Sequence, residues 1–296
     1  MTLWADEALP GVPARGASAD DDGAFAADVR AALVAGDMSV AYQPVVELVS
    51  GRLEKVEALA RWAHPARGSI SPGEFIARSE QTGVIEELGA WILERACSDI
   101  VALRDHGIDI DLNVNFSVVQ LRDPAIAERT AEILARCGFA PDRLSIELTE
   151  SVFSDDRTTG RLMQLHDLGV HLVIDDFGAG FSNFEYIRRL PISGLKLDRS
   201  FVAGLGVNGG ESAIFRSITD LGRELDIQIV VGGVESESQR SQLLGYNCRL
   251  AQGWLFAPAL RPDQLVAQFG PTATGTMHPD PARPVGGVER VAARRV

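Results

Sequence analysis

Two aspartates, Asp175 and Asp176, stand side by side at the end of the apolar stretch Leu172-Val173-Ile174. Adjacent residues of a strand point to opposite faces, so both carboxylates can reach one place only where the strand is ending. An aspartate so placed can bridge two metal ions about 3.5–4 Å apart, the geometry that activates water for attack on phosphate. Other polar residues interrupt apolar, strand-like stretches in the same way. They are Glu57 within Val56–Trp62, Asn115 and Ser117 after Val114, Glu147 and Glu150 around Leu148, Lys196 and Asp198 around Leu197, and Gln252. One such acid reads as a solvated strand end. Four carboxylates and an amide oxygen aimed at one mouth point to a hard divalent cation, Mg²⁺ or Mn²⁺, which oxygen ligands suit.

Of the 28 basic residues, only Lys55 and Lys196 are lysines. Arginine keeps its proton in proteins, whereas lysine can lose it where its surroundings favour that. Lys196 falls among the acids, where nearby cations and partial burial are expected to lower its pKa. The plainer alternative is a salt bridge to an aspartate, and the two are compatible.

The elements that position these residues alternate. Strand-like stretches recur at Val40–Leu48, Val56–Trp62, Ile108–Phe116, Leu144–Leu148, His171–Ile174, Gly194–Leu197, Ile227–Val231 and Arg249–Phe256, and helical patterns separate most of them. The helical segments are Ile85–His106, Pro124–Cys137, Asp156–Leu168, Ser212–Leu225 and Ser236–Leu244, with glycine stops expected at His106-Gly107 and Leu168-Gly169. A short Ser50-Gly51 turn joins the first two strands, which predicts a hairpin and an antiparallel first strand. Eight strands with intervening helices predict an α/β fold, a (β/α)8 TIM-like barrel over residues 23–270, with its chemistry at the C-terminal strand ends. No glycine-rich dinucleotide fingerprint follows any strand, which weighs against a doubly wound sheet. Residues 1–22 and 271–296, rich in Gly, Pro and charge, are expected to be disordered tails.

Composition narrows the function classes. The chain has 296 residues, 46% hydrophobic and 23% charged, which excludes collagen-like, coiled-coil and wholly disordered chains. No uncharged apolar run approaches the roughly 20 residues of a membrane span. The N-terminus carries acids where a signal peptide needs basic residues, and the three cysteines are widely spaced. A net charge of −13 argues against a nucleic-acid partner but leaves room for a small anion held by metal ions. The expectation is a cytoplasmic chain with neither a membrane nor a nucleic-acid partner.

The motif series Glu57-Ala58-Leu59 with Arg61-Trp62, Asn115-Phe116-Ser117, Glu147-Leu148-Thr149-Glu150, Asp175-Asp176-Phe177-Gly178, Lys196-Leu197-Asp198 and Gln252-Gly253 resembles that of EAL domains, bacterial phosphodiesterases for cyclic di-GMP. The likeness spans about residues 38–262, with all six motifs in order. It implies a barrel with an antiparallel first strand, agreeing with the hairpin above. It further implies that Glu57, Asn115, Glu147 and Asp175 bind one divalent ion, and that Asp175 with Asp176 helps to hold a second. Lys196 and Glu235 belong to the implied catalytic set. Gln43, Arg61, Asp198 and Gln252 are the implied ligand contacts. Glu150 is implied to pin the 176–189 loop, which in the family often forms a dimer interface.

One motif departs from the family pattern. After the seventh strand, where the family reads Ala-Glu-Gly-Val-Glu, this chain reads Val231-Gly232-Gly233-Val234-Glu235. Glu235 matches the second glutamate. Gly232 replaces the first, which in the family ligates metal and has been assigned as general base, and glycine offers neither. One metal site is therefore expected and the second impaired. The resemblance thus implies a cyclic-di-GMP-binding module whose phosphodiesterase activity is weak or lost. An active metal-dependent phosphodiesterase producing pGpG is the first alternative, and a protein-interaction module with a vestigial pocket is the second. Input would come from a protein partner.

Overall fold

The structure, a computed structural model, describes residues 19–150, 152, 156–178, 187, 189–205 and 209–271. Helix α1 (Ala19–Ala35) leads into the hairpin of β1 (Met38–Glu47) and β2 (Leu53–His64), and a short β3 (Gly68–Ile70) pairs with the end of β2. Helices α2 (Pro72–Thr82) and α3 (Ile85–Leu103) follow, then β4 (Asp111–Asn115), α4 (Ile126–Cys137), β5 (Leu144–Thr149), α5 (Asp156–Asp167) and β6 (His171–Phe177). The chain continues through β7 (Ile192–Leu197), α6 (Arg199–Gly204), α7 (Gly209–Glu224), β8 (Gln228–Val231), α8 (Glu237–Gly245), β9 (Leu250–Gln252) and α9 (Pro262–Phe269).

Strand order is β1-β9-β8-β7-β6-β5-β4-β2-β3, and an additional β1–β2 pairing closes eight of the strands into a barrel. The hairpin dictates how it closes. β1 is antiparallel to both neighbours, β2 and β9, while the strands from β2 and β4 round to β9 run parallel. The expected barrel, the antiparallel first strand and the eight strand positions are all present. Both expected glycine stops adopt the left-handed backbone, at Gly107 (φ 73°) and Gly169 (φ 95°).

The period of two along each strand divides the core. On β2, Val56, Ala58, Ala60 and Trp62 face the helices and are at most 2% exposed. There Trp62 meets the rings of Phe25 and Phe75 edge-on, and α3 contributes Leu88, Ile92, Leu93, Ala96 and Ile100. The alternate residues Lys55 and Glu57 face the barrel interior, where Val45, Val230 and Leu250 form a separate apolar cluster.

Several boundaries differ from expectation. The acid run Asp20-Asp21-Asp22 forms the first turn of α1 instead of a tail, and acids are favourable at that end of a helix dipole. Residues 1–18 and 272–296, expected as tails, lie outside the described residues. Helices α1, α2, α6 and α9 complete the outer layer.

Candidate metal and ligand site

The polar interior residues converge at the C-terminal end of the barrel. Glu57 (β2), Glu147 (β5) and Asp175 (β6) each present a carboxylate oxygen, these atoms lying within 4.8 Å of one another, and all three residues are buried. Register makes this possible. Asn115 is level with Glu147, Thr149 with Asp175, and Gln43 of β1 with Glu57.

Lys196 of β7 reaches across the interior into this set. Its Nζ donates to Glu57 Oε2 at 2.6 Å and to Glu147 Oε2 at 3.0 Å, and lies 3.4 Å from Asp175 Oδ1. Glu57 is also held by Asn115 Nδ2 (2.7 Å) and Gln252 Nε2 (2.8 Å). Asp176 is left-handed (φ 53°) and lies where the pairing with β7 shifts register between Ile174 and Phe177, so the acid pair departs from strict alternation; its N–H donates to Asp175 Oδ1 at 2.8 Å.

Burial and like charge push these carboxyls up, and Lys196 with the amide donors opposes them. Burial raises Glu57, but Lys196 with the Gln252 and Asn115 amides holds its carboxyl below the usual range. Burial, then the negative charge of Glu57, pushes Glu147 up to about 8. Burial raises Asp175, Lys196 opposing it, and burial with the Asp175 charge raises Asp176 to about 7. Lys196 departs from expectation. Burial disfavours its charge, yet Asp175, Glu147 and Glu57 hold it well above the ordinary lysine value. The salt-bridge alternative is realised in the metal-free chain, where Glu57, Glu147 and Asp175 surround the ammonium.

The donor set fits a hard cation. Three carboxylates converge, and the side-chain oxygens Asn115 Oδ1 and Gln252 Oε1 are buried without a hydrogen-bond partner. Buried oxygens in that state are costly unless a donor or a cation meets them.

The remaining residues lie around this core. Half-buried Arg61, on β2 beyond Glu57, donates from Nη1 to Ala60 O at 3.0 Å. Asp198 caps α6, accepting from Ser200 N at 2.9 Å. Glu150 Oε1 accepts from Gly178 N at 3.4 Å, a contact at the start of the loop that it was expected to pin. Most of that loop, 179–186 and 188, lies outside the described residues. Glu235 is exposed beyond β8, with its N–H bonded to Gln239 Oε1 at 2.8 Å.

Gly232 N donates to Leu197 O at 2.9 Å, and a Cβ built there would sit 3.1 Å from that oxygen. Its φ is outside the left-handed region, unlike that of neighbouring Gly233 (φ 70°). Asn113, indistinguishable in sequence from an ordinary strand residue, donates from Nδ2 to Glu147 Oε1 at 2.6 Å. The signal for it is the alternation on β4, which puts 113 on the same face as 115.

The family model for the EAL domain matches residues 26–259. The chain belongs to the EAL domain family. This EAL domain is 37% identical over 243 residues to the bifunctional diguanylate cyclase/cyclic di-GMP phosphodiesterase MucR of Pseudomonas aeruginosa, covering 81% of this chain and 36% of MucR. It is 39% identical over 232 residues to an uncharacterized signaling protein of Caulobacter vibrioides, covering 78% of this chain and 28% of that protein. The chain thus spans well under half the length of these curated relatives. Among solved structures, the MucR phosphodiesterase in complex with c-di-GMP superposes with a TM-score of 0.75 at 37% identity, covering 82% of this EAL domain and 99% of that chain. Among the described residues no helix is long and apolar enough to cross a membrane.

Proposed function

We propose that this EAL domain binds cyclic di-GMP at the barrel mouth and hydrolyses it weakly or not at all. The observation that carries the reading is an assembled Glu57–Glu147–Asp175–Lys196 cluster beside a strand end where Gly232 supplies neither ligand nor base. The family, and the MucR phosphodiesterase solved with c-di-GMP at 37% identity, support the ligand.

Glu57, Asn115, Glu147 and Asp175 would hold one Mg²⁺ or Mn²⁺, and Asp176 would belong to the impaired second site. A bound divalent ion there supplies Lewis-acid polarisation of the phosphodiester and an acidified water. The chain's own groups supply the rest. Arg61 has the planar fork that pairs bidentately with a phosphate. Gln43, Asp198 and Gln252 line the mouth as further ligand contacts. Lys196, whose Nζ reaches Glu57, Glu147 and Asp175, would orient the attacking water beside them. Glu150 steadies Gly178 at the start of the 176–189 loop. Glu235, exposed beyond β8, remains the one glutamate of the altered motif.

Absence of a general base costs about 10²–10⁴-fold in rate, and an impaired second metal site adds to that. This weighs against a fully active phosphodiesterase producing pGpG. The retained pocket weighs against an interaction module with a vestigial site. Operation in the cytoplasm, pairing through the 176–189 loop and input from a protein partner complete the proposal.

Calorimetric titration with cyclic di-GMP in Mg²⁺ or Mn²⁺, beside a pGpG turnover assay, tests it. Saturable binding with little turnover is expected. Rapid turnover by the wild type, or no binding, overturns it.

A further inference from the structure

We propose that Asn113 is a positioning residue for the metal site, fixing the Glu147 carboxylate from beneath; this rests on the reading that Glu57, Asn115, Glu147 and Asp175 hold a divalent ion. Asn113 lies on β4 two residues before Asn115, one interior layer deeper, in register with Glu57 on one side and Ser145 on the other. Barrel interiors at this depth are ordinarily filled by branched apolar side chains. Here Val45, Val230 and Leu250 fill other interior positions in that way. An amide only 2% exposed breaks the pattern.

The amide is also only half satisfied. Its Nδ2 donates to Glu147 Oε1 at 2.6 Å, while its Oδ1 is buried without a hydrogen-bond partner. A half-satisfied buried amide is costly, while its Nδ2 meets a carboxylate oxygen that would otherwise be buried without a donor.

What the amide does is specific. Glu147 receives Asn113 at Oε1 and Lys196 at Oε2, so its carboxylate is gripped at both oxygens and cannot rotate. With Oε1 taken by Asn113, Oε2 shares the Lys196 ammonium with Glu57 Oε2 and Asp175 Oδ1. Groups that orient a metal ligand in this way are worth about 10–100-fold in metal affinity.

The test is Asn113→Leu in the full chain, read by Mn²⁺ titration calorimetry and by Tm in EDTA. The expected result is Mn²⁺ affinity lower by about 10–100-fold than that of the wild type. A merely structural amide would move Tm and leave the Mn²⁺ affinity alone, and that outcome overturns the proposal. If Asn113→Leu does not fold, Asn113→Ser, too short to reach Glu147, replaces it with the same expected and overturning affinities. A Glu57→Ala, Glu147→Ala double variant is the control. If wild type and double variant give the same Mn²⁺ trace, the metal reading itself fails and takes this proposal with it. Wild-type binding with unchanged affinity in the Asn113 variant removes the Asn113 role alone.

Discussion

Lys196 Nζ stands 2.6 Å from Glu57 Oε2, although the two residues are 139 positions apart in the chain. β7 and β2 are not neighbours in the sheet, so the contact crosses the barrel interior. It places an ammonium among three buried carboxylates, which leaves the metal-free site short of positive charge. Two consequences follow, one in the pH dependence of stability and one in the response to divalent ions.

Glu147 and Asp176 are held at about 8 and about 7, above their values in an unfolded chain, roughly 4.3 and 3.9. A carboxyl raised by folding contributes stability that is complete below its unfolded pKa and lost as pH rises through its folded pKa. The metal-free protein should therefore lose Tm between pH 5 and pH 8. Glu57 is shifted the other way and acts only in the acid range, and Lys196 only in the alkaline range. Calorimetric scans in EDTA should show the fall, Glu147→Gln should flatten it, and Mn²⁺ should restore Tm at pH 8. A wild-type profile no steeper than that of Glu147→Gln contradicts the assignment.

Arg61 tests ligand recognition. A charge-assisted hydrogen bond of this kind is worth about 1.5–3 kcal/mol, so Arg61→Ala should weaken cyclic-di-GMP binding by about 10–100-fold. Arg61→Lys should recover only part of the loss, because an ammonium cannot make the bidentate contact. Equal affinity in all three proteins, measured by titration calorimetry, would show that the pocket does not read phosphate through this residue.

Gly232→Glu tests the lesion. The backbone there is not left-handed, so glutamate meets no conformational penalty, and its Cβ needs only a few tenths of an ångström of give at Leu197 O. Turnover to pGpG should rise by about 10²–10⁴-fold over wild type, the usual worth of a general base. Equal, negligible turnover in both would mean that more than one part has been lost. Robust wild-type turnover abolished by Lys196→Ala would instead make Lys196 part of a working site.

Cysteine accessibility tests the helical layer. Cys97 on α3 and Cys248 before β9 are buried, and burial pushes both thiols up, Cys248 to about 12. Cys137, at the end of α4, is partly exposed. At neutral pH a thiol reagent should label one cysteine per native chain, Cys137, and all three in guanidinium. Fast labelling of Cys97 in native protein would mean that α3 does not pack as described.

Much of this protein is legible in its amino-acid order. Period-two and period-3.6 apolar patterns are local, so strand and helix positions, the Ser50-Gly51 hairpin and the antiparallel entry of β1 emerge without a structure. So does the acid set, because an acid following apolar strand residues has to sit where the strand reaches solvent or a cation. The tertiary structure decided what depends on distant neighbours. The direction of the Lys196 pKa in the metal-free chain is set by three carboxylates from three other strands. Asn113 meets Glu147 only once β4 and β5 pair in parallel register. The acid run at 20–22 becomes the start of α1, which packs its Phe25 on Trp62 of β2. Local pattern encodes which face a residue takes. The charges and oxygens that meet it there depend on closing the barrel, and Coulomb and desolvation energies act between residues the chain itself keeps far apart.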